Sequence, residues 1–177
     1  TTNEERIYKE AEFYHDHGHP HLPGVGRGLE ERRRNGFNYR MSELQGALGL
    51  VQLKKLDEVI SRQRHNKKII KEGLKDVPGL SFRFHHDPAG EIATFLVFFL
   101  PDSQKVEKFK AIMVEKGVTP GVLSYWHFTA NVAACGGYFP RTEALLKRMV
   151  VLEIQALMSQ ERLEQIIDAV WQAARIL

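Results

Sequence analysis

The sequence predicts a mixed α/β chain, with a long amphipathic helix leading into a small α+β domain whose antiparallel sheet is covered by helices. Three patterns carry this. Apolar residues recur at helical spacing over Leu44, Ala47, Leu48, Val51, Leu56, Val59 and Ile60, and again over Leu163, Ile166, Ile167, Val170 and Ala174. Leu80, Phe82 and Phe84 alternate with Ser81, Arg83 and His85, as a half-buried strand requires. Residues 92–100 are almost wholly apolar, too short to cross a bilayer and suited to a buried strand.

In chain order, Asn3 can cap a first helix bearing Ile7, Ala11 and Tyr14 on one face and ending near His15 to Gly18. Residues 18–36 are rich in glycine and arginine and poor in apolar side chains, so they read as a long surface loop. Ser42 and Gln45 form a capping-box pair at the head of the next helix. Its helical character runs through Ile69, Ile70 and Leu74 to a stop at Pro78-Gly79. At 1.5 Å per residue such a helix would be roughly 50 Å long, more than a small domain needs, so it reads as a bridge between domains.

Asp87-Pro88-Ala89-Gly90 joins the alternating strand to the apolar one as a hairpin. Asp102 or Ser103 caps a helix closed by Gly117, residues 118–124 suggest another short strand, and Pro140 begins a helix to about Arg148. Ser159 caps the last helix.

Composition narrows the class of protein. Hydrophobic content of 43% with 27% charged residues is that of an ordinary globular domain. A net charge of +3 is spread among many acids, so it does not by itself imply nucleic acid. A single cysteine, Cys135, excludes an internal disulfide framework and fits a reducing compartment, hence a cytoplasmic protein.

Several groups invite chemistry, and each has a plainer reading. His15, His17, His19 and His21 with Asp16 would suit a metal in number, but Gly18 and Pro20 break the spacing and no metal site is assigned. Gly24-Val25-Gly26-Arg27-Gly28 lacks the strand before it and the lysine after it that a phosphate loop needs. Arg32-Arg33-Arg34 and the basic helix residues are diluted by Glu30, Glu31, Asp57 and Glu58, so solvated faces explain them and no nucleic-acid partner is expected. Cys135 has no nucleophile signature around it. Tyr125-Trp126-His127 could line a polar pocket or an aromatic core. The most specific stretch is residues 36–49. There Asn38 can donate twice and Arg40 can grip an anion bidentately, just ahead of a helix start with unpaired N–H groups.

The order Gly36-Phe37-Asn38-Tyr39-Arg40-Met41-Ser42-Glu43-Leu44-Gln45, followed by Gln52-Leu53, Arg62 and Arg64, resembles the DegT/DnrJ/StrS family of pyridoxal-phosphate-dependent sugar aminotransferases. Asp16-His17-Gly18 upstream, Gly137-Tyr138-Phe139-Pro140-Arg141-Thr142-Glu143 downstream and the helix beginning at Met158-Ser159 fit the same pattern.

The resemblance implies the C-terminal portion of an aspartate-aminotransferase-like enzyme. Residues 1–41 would end the large cofactor-binding domain, 42–77 would form the interdomain helix, and 78–177 would form the small domain. It implies pyridoxal 5'-phosphate as cofactor, with Asn38 and Arg40 as the cofactor-binding pair, Asn38 reaching the phosphate in the neighbouring subunit of a homodimer and Arg40 beside it, supporting that turn or the substrate's phosphates. His17, Tyr125 and His127 would lie toward the sugar. The substrates implied are a nucleotide-linked keto sugar and an amino-acid donor, usually glutamate. The Schiff-base lysine would lie ahead of the position of Thr1, so no catalytic residue is expected in this chain, which alone should be inactive. Lys9 sits in no Ser-x-x-Lys context. Where the family usually has Leu-Pro before the last helix, this chain has Leu152-Glu153, which suggests an unusual branch. A dehydratase branch of the same family and a non-catalytic dimerisation module are the alternatives.

Overall fold

The computed structural model describes residues 1–26, 29–30, 35–121 and 136–177. These form two compact units, Thr1–Lys54 and Lys55–Leu177.

In the first unit, helix α1 spans Glu5–His15 and helix α2 spans Glu43–Leu53. Glu4, not Asn3, occupies the cap position of α1, and its side chain makes no capping bond. The backbone there is tied instead by Glu4 N–H donating to Thr2 Oγ1 at 3.1 Å. The buried residue of α1 is Phe13, while Ile7 and Tyr14 are exposed, contrary to the face expected from spacing. The reason lies in the chain beyond the helix. It turns back through Gly18 N–H donating to Phe13 O at 2.7 Å, and Pro20, Leu22 and Pro23 lie with Phe13 along one side of α1. His19 and Pro20, expected in a surface loop, are buried by the same fold-back.

Helix α2 starts as its sequence predicts. Ser42 Oγ accepts from Gln45 N–H at 3.3 Å and Gln45 Oε1 accepts from Ser42 N–H at 2.8 Å. The helical run does not continue unbroken, because a turn at Lys54–Lys55 separates α2 from α3, Leu56–Leu74. No proline or glycine marks the break, which falls at the boundary between the two units.

The second unit is a three-stranded antiparallel sheet packed with α3 and two further helices. Strands β1 (Ser81–Phe82), β2 (Phe95–Phe99) and β3 (Met149–Glu153) lie in that order, with Phe82 opposite Phe98 and Val97 opposite Val151. The expected pairing of the alternating strand with the apolar one is therefore present. The connection is a longer loop in which Asp87 Oδ1 accepts from the N–H groups of Ala89 and Gly90. Asp102 Oδ1 accepts from Gln104 N–H to open a 3-10 turn, Ser103–Lys105, that leads into α4, Val106–Glu115. Helix α5 spans Pro140–Leu146, and Ser159 caps α6, Gln160–Ala174. Of the strand expected over 118–124, residues 122–124 lie outside the described part. The remainder contributes Gly121 N–H to Val151 O at 2.8 Å.

The core of this unit joins Ile70 and Leu74 of α3, Leu96 and Phe98 of β2, Phe109 and Met113 of α4, Val150 and Leu152 of β3, and the stripe of α6. Phe98 meets both Phe82 and Phe109 edge to face, at 6.4 and 6.1 Å between centroids. Each large side chain buried here contributes about 1.5–3 kcal/mol from lost apolar hydration. Gly73 lets α6 approach α3, since a Cβ there would lie 2.6 Å from Ile167 Cδ1. The same close approach brings Trp171 Nε1–H to Gly73 O at 2.9 Å.

Candidate functional site

The residues singled out between positions 16 and 45 meet within the first unit. An isolated antiparallel bridge pairs Asp16 with Asn38. Around it His17 N–H donates to Phe37 O at 3.0 Å, Phe37 N–H to Tyr14 O at 2.9 Å, and Tyr39 N–H to His15 O at 2.9 Å. This short ladder seats residues 36–40 against the end of α1. Glycine is required at position 36, because an added Cβ would stand 2.6 Å from Gly18 N and 2.7 Å from Tyr14 O. Tyr14, Phe37 and Tyr39 form an exposed aromatic triad, with centroids 5.6 to 6.1 Å apart, that backs the ladder.

Asp16 organises the polar side of this structure. It is 2% exposed. Its carboxylate pairs with Arg40 Nε at 3.2 Å through Oδ1 and with His21 Nε2 at 3.3 Å through Oδ2. Arg40 Nε also donates to Asn38 Oδ1 at 3.0 Å. The Asn38 carbonyl is thus turned onto the guanidinium, which leaves its Nδ2–H₂ group with no acceptor among the described residues. Asn38, Arg40 and Gln45 share a cavity of about 410 Å³ at the head of α2. The cavity presents an amide donor and the remaining guanidinium N–H groups, a donor set suited to an anion. The helix terminus itself offers less than the sequence suggested, because the capping box already consumes the N–H groups of Ser42 and Gln45.

Asn38 and Arg40 are therefore brought together. His17 lies on the same turn, in the left-handed region at φ 58, but its ring faces His19, with centroids 6.4 Å apart. Tyr125 and His127 lie outside the described residues, as do Arg32, Arg33, Arg34 and Cys135. The other histidines diverge. His15 Nδ1 lies 2.7 Å from Glu12 O, His19 Nδ1 lies 3.2 Å from buried Glu30 Oε2, and His21 turns to Asp16. Among the described residues no group of three or more metal-ligating side chains converges.

What sequence reasoning missed is the central place of Asp16, which entered as one member of a His-rich string and of the Asp16-His17-Gly18 motif, with no task of its own. The available signal was an acid directly before a positive-φ turn, since such an acid tends to be held by local bonds. Arg64, quoted only as part of a motif, has a structural task. Its guanidinium donates to Ala89 O and Glu91 O, both at 2.6 Å, and fixes the β1–β2 connection.

The profile of the DegT/DnrJ/EryC1/StrS aminotransferase family matches residues 1–171. Among solved structures, an aminotransferase from Streptoalloteichus hindustanus, TlmJ, superposes with a TM-score of 0.80 at 21% identity, over 98% of this chain and 46% of its own. Helicobacter pylori PseC, an aminotransferase of pseudoaminic acid biosynthesis, gives 0.81 at 18% identity, over 99% and 48%. A putative sugar aminotransferase from Streptococcus pneumoniae, solved in its PMP form, gives 0.80 at 15% identity, over 99% and 45%. The same protein is also known in a PLP form. The chain thus spans about half the length of the structures it matches, and its fold is that of the aminotransferases. No helix among its described residues is long and apolar enough to cross a membrane. The chain belongs to the DegT/DnrJ/EryC1/StrS aminotransferase family.

Proposed function

We propose that this chain is the C-terminal portion of a cytoplasmic, pyridoxal-phosphate-dependent enzyme. The enzyme moves an amino group, from glutamate or a similar donor, to a keto sugar linked to a nucleotide. In this portion residues 1–41 end the cofactor-binding domain, 42–77 lead out of it, and 78–177 form the small domain. The observation that carries the proposal is the Asp16–Arg40–Asn38 arrangement, which aims an amide donor and a guanidinium into one cavity within a chain of this family.

The donors fit a cofactor phosphate. Asn38 Nδ2 is the unspent donor, and Arg40 supplies charge while Asp16 fixes its orientation. When bound, pyridoxal phosphate supplies an electron sink for carbanion chemistry at the amino-bearing carbon. The chain's own residues bind and orient, and the lysine that would hold the cofactor covalently is assigned to a position ahead of Thr1. Lys9 does not replace it. Its ammonium is held above the ordinary lysine range by a hydrogen bond and ion pair with Glu12, so it stays protonated and a poor nucleophile. Asn38 serves the site of a second subunit in a homodimer. Leu44, Leu48 and Val51 of α2 are exposed in the single chain, which supports their burial on assembly.

The test is expression of the whole reading frame that contains these residues, assayed with pyridoxal phosphate, glutamate and nucleotide-linked keto sugars. Amino transfer is expected, and Asn38→Ala should raise the cofactor concentration for half-activity by about tenfold, near 1.4 kcal/mol. The 177-residue chain alone should not transaminate. Loss of water from the sugar with no use of glutamate would replace transfer by the dehydratase chemistry, and transamination by the isolated chain would overturn the assignment of the lysine.

A further inference from the structure

A cavity of about 710 Å³ lies entirely within the second unit, where α3 meets β1 and the β1–β2 connection. Its volume falls in the range that accommodates small ligands. Phe82, Leu96 and Val97 give it an apolar floor. Around that floor stand five cationic side chains against two carboxylates. Two of the cations are already committed. Arg64 holds the carbonyls of Ala89 and Glu91, and Lys67, 7% exposed, pairs with the Glu91 carboxylate and donates to Phe95 O at 2.7 Å. Of the two carboxylates, Glu91 is spent on Lys67 and His85, and Glu72 pairs with Lys75 at 3.7 Å.

The remaining cations, Lys68, Lys71 and Arg83, have no ion pair among the described residues, although all three line the cavity. The Lys71 ammonium instead lies 5.5 Å from the Phe82 ring centroid. Their field reaches inward. Burial first, and then the charges of Arg83 and Lys71, hold the Lys67 ammonium below its ordinary range, and burial followed by Lys67, Arg83 and Lys71 does the same to the His85 imidazole, in both cases against the opposing pull of Glu91. Like charges gathered over an apolar floor repel one another unless an anion joins them. At the rim, the Phe84 ring stands perpendicular to His86 at 5.0 Å between centroids and is 78% exposed, which leaves it open for stacking.

The geometry points to a second ligand site here, for a phosphate ester with two or more anionic oxygens joined to a flat ring, the chemistry of a nucleoside diphosphate. The phosphates engage Lys68, Lys71 and Arg83, and the ring lies on the Phe82–Phe84 side. The site is built from the second unit alone, and it stands or falls independently of the amino-transfer reaction.

Calorimetric titration of the 177-residue chain with adenosine diphosphate, pyrophosphate and adenosine tests it. Adenosine diphosphate is expected to bind more tightly than pyrophosphate, and adenosine not measurably. The double substitution Lys71→Gln and Arg83→Gln should weaken both phosphates by about tenfold or more, since it removes charge-assisted contacts. Phe84→Ala should weaken adenosine diphosphate by about threefold or more and leave pyrophosphate unchanged, since stacking acts on the ring alone. Raising salt from about 50 to about 300 mM on the unsubstituted chain should weaken binding severalfold, a measurement that needs no variant to fold. Three results would each overturn the site: no binding of adenosine diphosphate, affinity indifferent to salt, or affinity unchanged in a folded double variant. Equal affinity for pyrophosphate and adenosine diphosphate, or an unaltered Phe84→Ala, would overturn the ring's place in it.

Discussion

Gly36 and His85 show how single positions are constrained here. At Gly36 the surrounding atoms are backbone, Gly18 N and Tyr14 O, so they cannot swing aside as a side chain would. Gly36→Ala should therefore cost roughly 1–3 kcal/mol and loosen residues 36–40, read as a lowered melting temperature with lost amide protection at Phe37 and Tyr39. His85 carries a pH dependence. Burial, followed by the cations around it, holds its imidazole below the ordinary histidine range despite Glu91 at 3.3 Å. The unfolded chain takes up a proton near pH 6.5 while the folded chain resists it, so the contribution is complete above that pH and declines as pH falls through about 6.5. Melting temperature should thus drop between about pH 7.5 and 5.5, and His85→Gln should flatten that part of the curve. An unchanged slope in the variant would remove His85 as the cause.

The helices and strands differed in how readily their sequences disclosed them. Capping chemistry is local, and Ser42 with Gln45 and Ser159 with Arg162 act as their order implies. Periodicity named the buried stripe of α6 because Leu163, Ile166 and Val170 meet one continuous core. It misjudged α1, where burial is decided by a chain fold-back onto Phe13 that no spacing within the helix encodes. Strand β3 went unread. Its Met149-Val150-Val151-Leu152 run is short and ambiguous, and becomes a strand only because β2 offers a full edge for pairing. The break at Lys54–Lys55 was equally silent, since both residues are good helix formers. In the candidate site, the pairing of Asn38 with Arg40 ahead of a helix start was visible in residue order. Asp16 was not, because its role depends on a bridge across the loop.

Taken as a whole, the chain divides its stability unevenly. The second unit holds a core spanning three helices and the sheet, whereas α2 of the first buries none of its residues. A helix as short as Glu43–Leu53 is marginal in water without packing. Hydrogen exchange of the 177-residue chain should therefore show α2 amides exchanging far faster than those of β2 and α6. In the homodimer proposed above that difference should shrink as Leu44, Leu48 and Val51 become covered. Protection of α2 equal to that of β2 in the single chain would contradict the exposed face.

The bridge between Asp16 and Asn38 has one more consequence. It anchors both ends of residues 17–37 beside each other, so the Asn38 amide is placed where those ends meet. Closing a longer flexible segment costs only about 0.6 kcal/mol for each doubling of its length. Added length within that span therefore costs little in closure so long as Gly18, His21 and Gly36 keep their contacts. Insertions there should leave the proposed anion-facing amide of Asn38 in place.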